Sequence, residues 1–376
     1  MEESKLNGNC FRDRRALESY LRFSYVLGTP ETCGGKSIFG SEIRFSCDRE
    51  RDREEYLNEL NRILDDVLQE ERKHSDAAFL SSGVDSSLIA FGIQAKKTFS
   101  VAYEEEDFDE SPLSLAAADR LGSEHRVVKI RPEDYFDAVG EAMANRDTPT
   151  GDASYIALYI AAKETARYTD AVCSGEGPDE MFCGYPCYSK YFDDPREDFW
   201  LDVNSVMDIG EIPALPRYGV DGFCKMNAFD LTKWMHGNIL PNVYAAAKGA
   251  GVEIRTPYMS PELLDLALSL PVQYKAERKM GKLLFRESAR RYVGDEIAFR
   301  EKRGFPVPVR KWMRREPFKT QILDALTGSV AREVLAGANA EGVLNAFYAG
   351  GDNSVWKQIW EMFALIRWLE VRGSER

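Results

Sequence analysis

Histidine is nearly absent from this chain: His74, His125 and His236 are the only three in 376 residues. They lie far apart, and the seven cysteines (Cys10, Cys33, Cys47, Cys173, Cys183, Cys187 and Cys224) are odd in number, scattered and never spaced as CxxC. A structural zinc site is therefore not expected, and a reducing compartment, the cytoplasm, fits this cysteine usage. No run of 18 apolar residues occurs, which argues against a membrane partner in the form of a spanning helix. The opening Met1-Glu2-Glu3-Ser4-Lys5-Leu6 has neither the apolar core nor the cleavage site of a secretory signal. Positive charge is scarce too: 49 Lys and Arg against 62 Asp and Glu give a formal net charge of -13. Nucleic acid demands clustered cations, so no nucleic-acid partner is expected; a local pocket in an acidic protein can still hold an anionic ligand.

What is present reads as an ordinary globular composition, 44% hydrophobic and 30% charged, long enough for one large layered domain or two. Tyr56, Leu57, Leu60, Ile63, Leu64, Val67 and Leu68 recur at three- and four-residue spacing and predict an amphipathic helix over residues 50–72, a core-packing element. From about Asp76 the pattern alternates. Short apolar runs at 77–80, 99–103, 126–130 and 171–173 predict strands. Helices are expected between them, one opening at Ser111-Pro112 and stopping at Gly122, others opening at Pro132 and Ser154. Such alternation predicts an α/β fold, a parallel sheet with helices on both faces, binding its ligand beyond the carboxyl ends of the strands. From about Asp198 onward helical segments dominate, broken by Pro213, Pro216, Pro241, Pro257, Pro306 and Pro308.

Two turns carry the chemistry. Ser81-Ser82-Gly83-Val84-Asp85-Ser86-Ser87 follows the first strand directly and runs into a helix. Inward backbone N–H groups, hydroxyls and an electropositive helix start make such a turn an anion site. It lacks the Gly-Lys-Ser/Thr ending of the Walker loop, and Asp85 would repel a phosphate unless a cation stands between them, which implies Mg²⁺. An ordinary helix cap uses the same residue types, but placement straight after an apolar strand favours the anion site. The second turn, Ser174-Gly175-Glu176-Gly177-Pro178-Asp179-Glu180-Met181-Phe182-Cys183-Gly184-Tyr185, is more specific, alternating glycine with acids and ending in an aromatic. Taken alone, Asp179 and Glu180 are most simply helix-capping residues.

Together the turns resemble those of the asparagine synthetase family, which pairs a Ser-Gly-Gly-x-Asp-Ser pyrophosphate loop with a Ser-Gly-Glu/Asp-Gly-x-Asp-Glu-x-Phe-x-Gly-Tyr turn. Further similar stretches follow in order: Phe108-Asp109-Glu110-Ser111-Pro112, Leu121 to His125, the trio Asp147, Pro149 and Ser154, Glu253-Ile254-Arg255-Thr256-Pro257-Tyr258, and Arg300 to Phe305 with Pro308 and Trp312. The resemblance implies a pyrophosphate-loop fold and an AMP-forming ligase that activates a carboxylate as an acyl-adenylate and passes it to ammonia or an amine. It implies ATP held on Ser81, Gly83, Asp85, Ser86 and Ser87, with adenine against the backbone near Phe79, Val101, Ser174 and Gly175. Asp85 and Asp179 would bind Mg²⁺, Lys282 and Lys302 would meet the phosphate charge, and Glu176 would accept the proton of the attacking nitrogen. It also divides the chain into a helical junction segment (1–72), a nucleotide-binding core (73–195) and a mainly helical substrate-side region (196–376).

Departures from the family pattern carry their own expectations. The family's glutaminase domain would precede the synthetase half, and Ala16 to Phe23 looks like the junction between the two. Nitrogen is then expected as free ammonia, another amine, or ammonia from a separate glutaminase. Ser82 replaces a loop glycine, where a positive φ would carry a cost; Pro178 and Cys183 stand where small residues or glycine are usual. Residues 242–248 and Ser260 replace polar, charged and acidic positions, with Tyr244 prominent among them, pointing away from aspartate as the small-molecule carboxylate. Two further readings compete: a pyrophosphate-loop enzyme acting on tRNA, disfavoured by the missing basic stripe, and a degenerate paralogue serving as a scaffold.

Overall fold

A computed structural model describes residues 14–26, 51–193, 222–301, 304–336 and 338–374. At its centre lies a five-stranded sheet of β1 (Ala77–Phe79), β2 (Lys97–Ala102), β3 (Glu124–Lys129), β4 (Ala171–Cys173) and β5 (Glu253–Arg255). All neighbours are parallel, in the order β3-β2-β1-β4-β5. The expected α/β fold is thus present, with one addition. β5 comes from a stretch read in the sequence as helical; three residues with a single central apolar side chain are too short to show a period.

Alternation along the strands divides the core into two. In β1, Ala77 joins one buried cluster and Ala78 the other; in β4, Val172 and Cys173 divide the same way. Successive side chains of a strand point to opposite faces, so a sheet covered on both sides needs apolar residues at every position. One face is covered by the predicted amphipathic helix, Arg53–Glu71, together with Val84–Gly92 and Leu283–Ala298. Arg53–Glu71 opens on a capping box between Asp52 and Glu55 and buries Tyr56, Leu60, Ile63, Leu64 and Leu68. The helix Ser111–Leu121 starts with Pro112 in its first turn and ends on Gly122 at φ 75°, the left-handed conformation that glycine adopts without strain.

The opposite face belongs to Pro132–Ala144, Ser154–Thr165, Leu240–Ala250 and the C-terminal helices. The last of these, Trp356–Ser374, buries Trp360, Phe363 and Trp368. Tyr135 lies between Trp312 and Trp360 at 5.3 and 5.6 Å, and Phe136 stacks on Phe318 at 4.5 Å. Rings buried this way contribute roughly 1.5–3 kcal/mol each. The C-terminal stretch carries little motif, yet it closes this half of the core.

Pro241, expected to interrupt a helix, does not. The chain stays helical from Gly222 to Ala250, widening to π geometry across Asp230–Ile239. A proline cannot donate to the carbonyl four residues back, and a wide turn immediately before it absorbs the missing bond. Pro213 and Pro216 lie outside the described residues. Among the described residues no helix is long and apolar enough to cross a membrane.

Candidate active site

β1 sits where the chain changes direction. It proceeds outward through β2 and β3, then returns to β4 on the other side of β1. Loops leaving β1 and β4 therefore part at one edge, opening the crevice where α/β sheets bind ligands. The two turns singled out in the sequence are these loops, and they pack backbone against backbone. A Cβ on Gly175 would come within 2.8 Å of the Ser86 nitrogen, so only glycine lets the turns approach. Tyr258 binds the first turn from a third segment, its hydroxyl donating to the Asp85 carbonyl at 2.8 Å.

One buried ammonium joins the turns. Lys282 Nζ lies 2.7 Å from Asp85 Oδ2 and 2.6 Å from Asp179 Oδ1, and the lysine is fully buried. Its backbone is left-handed, φ 62°, and its N–H donates to the Phe182 carbonyl at 2.9 Å. Arg286 braces this corner by donating to the carbonyls of Gly281, Ala298 and Arg300. Arg300 in turn donates to the Ser82 carbonyl at 3.1 Å.

A cavity of about 410 Å³ opens at this edge. Phe79, Ser81, Asp85, Ser86 and Val101 line it, and so do Ser174, Gly175, Glu176 and Asp179. Residues expected from the sequence at the phosphates and at adenine are thus brought to one space with the second turn. The Ser81 and Ser86 hydroxyls stand 2.8 Å apart, with the Ser81 N–H donating to Ser86 Oγ at 3.0 Å. Three candidates are placed otherwise. Gly83 lies behind the wall as the helix N-cap, donating to Ser81 Oγ at 3.1 Å. Ser87 is fully buried in the helix and lines no part of the cavity, and Lys282 reaches the site only through the two aspartates. Lys302 lies outside the described residues.

The donor chemistry suits a magnesium–nucleotide. Among the described residues no group of three or more His, Cys, Asp or Glu could hold a metal unaided. Asp85 and Asp179 supply two hard carboxylates beside serine hydroxyls, and Mg²⁺ is usually held by one or two carboxylates with phosphate oxygens completing its shell. A capping role does not account for Asp179, whose carboxylate is turned to Lys282.

One sequence expectation is overturned. Ser82 has no positive φ; its hydroxyl donates to Glu110 Oε2 at 2.5 Å, so the serine ties the loop to Glu110 without backbone strain. Cys183 does occupy a left-handed position, φ 58°, so a glycine conformation is kept with a buried thiol, which burial pushes up to about 12. Pro178 opens a helical turn, where its missing N–H costs nothing. Tyr244 is 47% exposed and does not line this cavity, and Ser260 caps the helix Pro261–Ser269.

Other groups near the site carried weaker signals or none. Burial, with Asp179 adjacent, pushes the Glu180 carboxyl up to about 8, and the Tyr185 hydroxyl donates to it. Asp230, held by the Tyr188 hydroxyl at 2.7 Å, is pushed up by burial to about 7. Glu110 and Asp152 also line the cavity; both sit inside stretches that resemble the family, so spacing could have found them. Trp234, Asn242 and Val243 come from the π-widened helix and its continuation, where no motif marks them.

Residues 71–370 match the family described as asparagine synthase. A putative glutamine-hydrolyzing asparagine synthetase of Mycobacterium tuberculosis strain H37Rv is 24% identical over 375 residues, covering 83% of this chain and 57% of the relative. Glutamine-hydrolyzing asparagine synthetase 1 of Bacillus subtilis strain 168 is 28% identical, covering 64% and 47%. Asparagine synthetase B of Escherichia coli K12 is 26% identical, covering 69% and 46%. The chain spans about half the length of the curated relatives it matches. With the motifs gathered at one sheet edge and the match running through both turns to the last helix, this chain belongs to the asparagine synthase family.

Proposed function

We propose that the cavity joins a carboxylate to a nitrogen nucleophile at the expense of ATP, forming AMP and pyrophosphate. One observation carries the reading: carboxylates from two separate turns converge on a single buried ammonium, at the rim of a cavity that also holds Glu176.

A carboxylate is a weak electrophile because its carbonyl is already electron-rich. Its oxygen attacks the α-phosphorus of ATP, the bond to pyrophosphate breaks with its electron pair, and an acyl-adenylate results. Ammonia or an amine then attacks the acyl carbon, AMP leaves with the electrons of the C–O bond, and a proton passes to Glu176. The first turn, Ser81 to Ser86, cradles the pyrophosphate with its N–H groups and hydroxyls, while Phe79, Val101 and Gly175 receive the base. Asp85 and Asp179 hold Mg²⁺, which when bound offsets charge on the phosphates. Lys282 keeps those two carboxylates at one point and offers positive charge beside them, and Lys302 is assigned to the phosphates on the family resemblance. In this reading residues 73–195 bind the nucleotide and 196–376 supply most of the substrate side. Ammonia comes free or from a separate glutaminase.

The test is a pyrophosphate-release screen of small carboxylates with ATP, Mg²⁺ and ammonium. Release that depends on one carboxylate class, with ammonium accepted and glutamine alone inert, is the expected outcome. A chain that binds ATP but releases no pyrophosphate with any carboxylate would instead be a scaffold, and the proposal would fail.

A further inference from the structure

Part of the cavity wall belongs to neither turn. Asp152, Tyr155 and Leu158 contribute to it from one segment; Trp234, Asn242 and Val243 contribute from another. Most of this wall is apolar or aromatic. Its polar members form a connected set, and that set is built to accept.

Asp152 is half-buried, and all of its hydrogen-bond partners are neutral. The Ser154 N–H and hydroxyl donate to Oδ1 at 3.0 and 2.6 Å, and the Asn238 amide donates to Oδ2 at 2.7 Å. Asn242 adds a longer contact to Oδ2 at 3.4 Å. Among the described residues no lysine, arginine or histidine nitrogen lies within 4.0 Å of this carboxylate. A carboxylate beside an apolar cavity without a counter-ion favours a cationic ligand.

Asn242 points the same way independently. The residue is 3% exposed, and its Oδ1 is buried with no hydrogen-bond partner among the described residues. Turning the amide over would not relieve this, because its nitrogen faces two acceptors, Asn238 Oδ1 at 3.2 Å and Asp152 Oδ2. Asn238 is locked in its own orientation, accepting from the Thr150 hydroxyl at 3.0 Å while donating to Asp152. The acceptor on Asn242, a residue that lines the cavity, is therefore unused, and a buried acceptor without a donor is costly. A local turn onto Ser154 explains the Oδ1 contacts of Asp152 but neither the two asparagines nor this unused carbonyl. The charged residues lining the whole cavity, among those described, are all acidic, which opposes an anionic group at this wall.

We propose that this wall binds a primary ammonium group on a largely apolar body, with Asp152 as counter-charge and the Asn242 carbonyl as acceptor. Its place in a reaction rests on the ligase reading: the ammonium belongs either to the acid that is activated or to the amine that attacks.

Binding of butylammonium, 1-butanol and butanoate to the full chain at pH 7, without nucleotide, tests the site by saturation-transfer NMR. Butylammonium should bind about tenfold more tightly than butanol, the order of a charge-assisted hydrogen bond, with butanoate weakest. Asp152→Asn should abolish the preference for the amine, and Asn242→Ala should weaken amine binding several-fold. Melting temperatures accompany both variants, and Asn242→Ala decides the matter if Asp152→Asn does not fold. Equal binding of amine and alcohol by the unmodified chain, or an undiminished preference in the folded variants, overturns the proposal. Two activity arms then identify the carrier. Pyrophosphate release with 5-aminopentanoate but not pentanoate assigns the ammonium to the acid; faster AMP formation on adding butylammonium to an accepted carboxylate assigns it to the nucleophile. ATP titration of the same sample keeps the two ideas separable: amine discrimination without ATP binding removes the ligase reading and leaves this site standing.

Discussion

The two sides of the cavity are built by opposite means. On the phosphate side, acids are matched by a buried cation: Asp85 and Asp179 meet on Lys282, and glycines let the turns touch. Across the cavity, Asp152 is held by the neighbouring Ser154 and by neutral amides, of which Asn238 comes from a helix whose turns have widened. On one side two acids share a single fixed cation; on the other, among the described residues, an acid has no cation within 4.0 Å and an amide acceptor stays unused. On the reading proposed above, a site that always handles the same nucleotide would be closed around fixed chemistry, whereas the side that sets substrate identity would keep its unpaired groups for the ligand.

The largest expected effect comes from breaking the neutralised side. Lys282→Met leaves two buried carboxylates facing each other and should cost about 3–5 kcal/mol in urea denaturation, with pyrophosphate release lost by about a thousandfold or more. Asp85→Ala and Lys302→Ala should each abolish release while the fold persists; near-normal turnover in either contradicts the assignment. Gly175→Ala comes next. Its added methyl would sit 2.8 Å from the Ser86 nitrogen and push the turns apart. We expect roughly a hundredfold loss of activity, because displacement by about an ångström spoils alignment, together with a melting shift of only a few degrees.

A third prediction concerns pH. Glu180 is held near 8 and Asp230 near 7, both chiefly by burial, and Glu361, fully buried against the helix Arg14–Phe23, is raised to about 7 by the same cause. Folded carboxyls with raised pKa values bind protons that the unfolded chain has released. Their stabilisation is complete below about pH 4.5 and is lost as pH rises through 7 to 8. His125 and His236, lowered by burial, act in the opposite direction, but only as pH falls below about 6.5. Melting temperature should therefore climb by several degrees from pH 8 to 6.5, and Glu180→Gln should flatten that slope. A melting temperature that is flat or falls over this interval contradicts the buried-acid arrangement. The smallest effects are expected at the two sequence departures that left the site. Tyr244→Ala should change stability and turnover within about 0.5 kcal/mol, and Ser260→Ala should cost about 1 kcal/mol or less through its cap, measured by denaturation and release assay.

Much of this was readable in advance, for identifiable reasons. β1, its turn and the following helix are contiguous, so the phosphate side is written as one uninterrupted string, Ala77 to Gly92. The same holds for β4 and the Ser174–Tyr185 turn. Helix limits at Pro112, Gly122 and Pro132 were legible because proline and glycine act through local backbone geometry. β5 was not legible, since strand pairing rather than its own three residues defines it. Nor was the burden placed on Ser82, where the loop turned out to need no positive φ. The bridge at Lys282 was anticipated as a phosphate contact, but its reach to both aspartates depends on a segment nearly 200 residues from Asp85 folding back against the second turn.

Local chemistry, then, was determined by the sequence alone: which turns could hold phosphate, which residue types could meet a cation, where helices start and stop, and which family the pattern resembles. Those properties depend on neighbours within a few positions along the chain. Tertiary structure decided the rest. It set Lys282 between two turns, folded Tyr258 onto Asp85, moved Tyr244 to the surface, and brought Asn238 and Asn242 to Asp152 across nearly 90 residues. Charge pairing and hydrogen bonding act over a few ångströms of space whatever the distance along the chain, so the substrate wall came into view only when the segments were packed together.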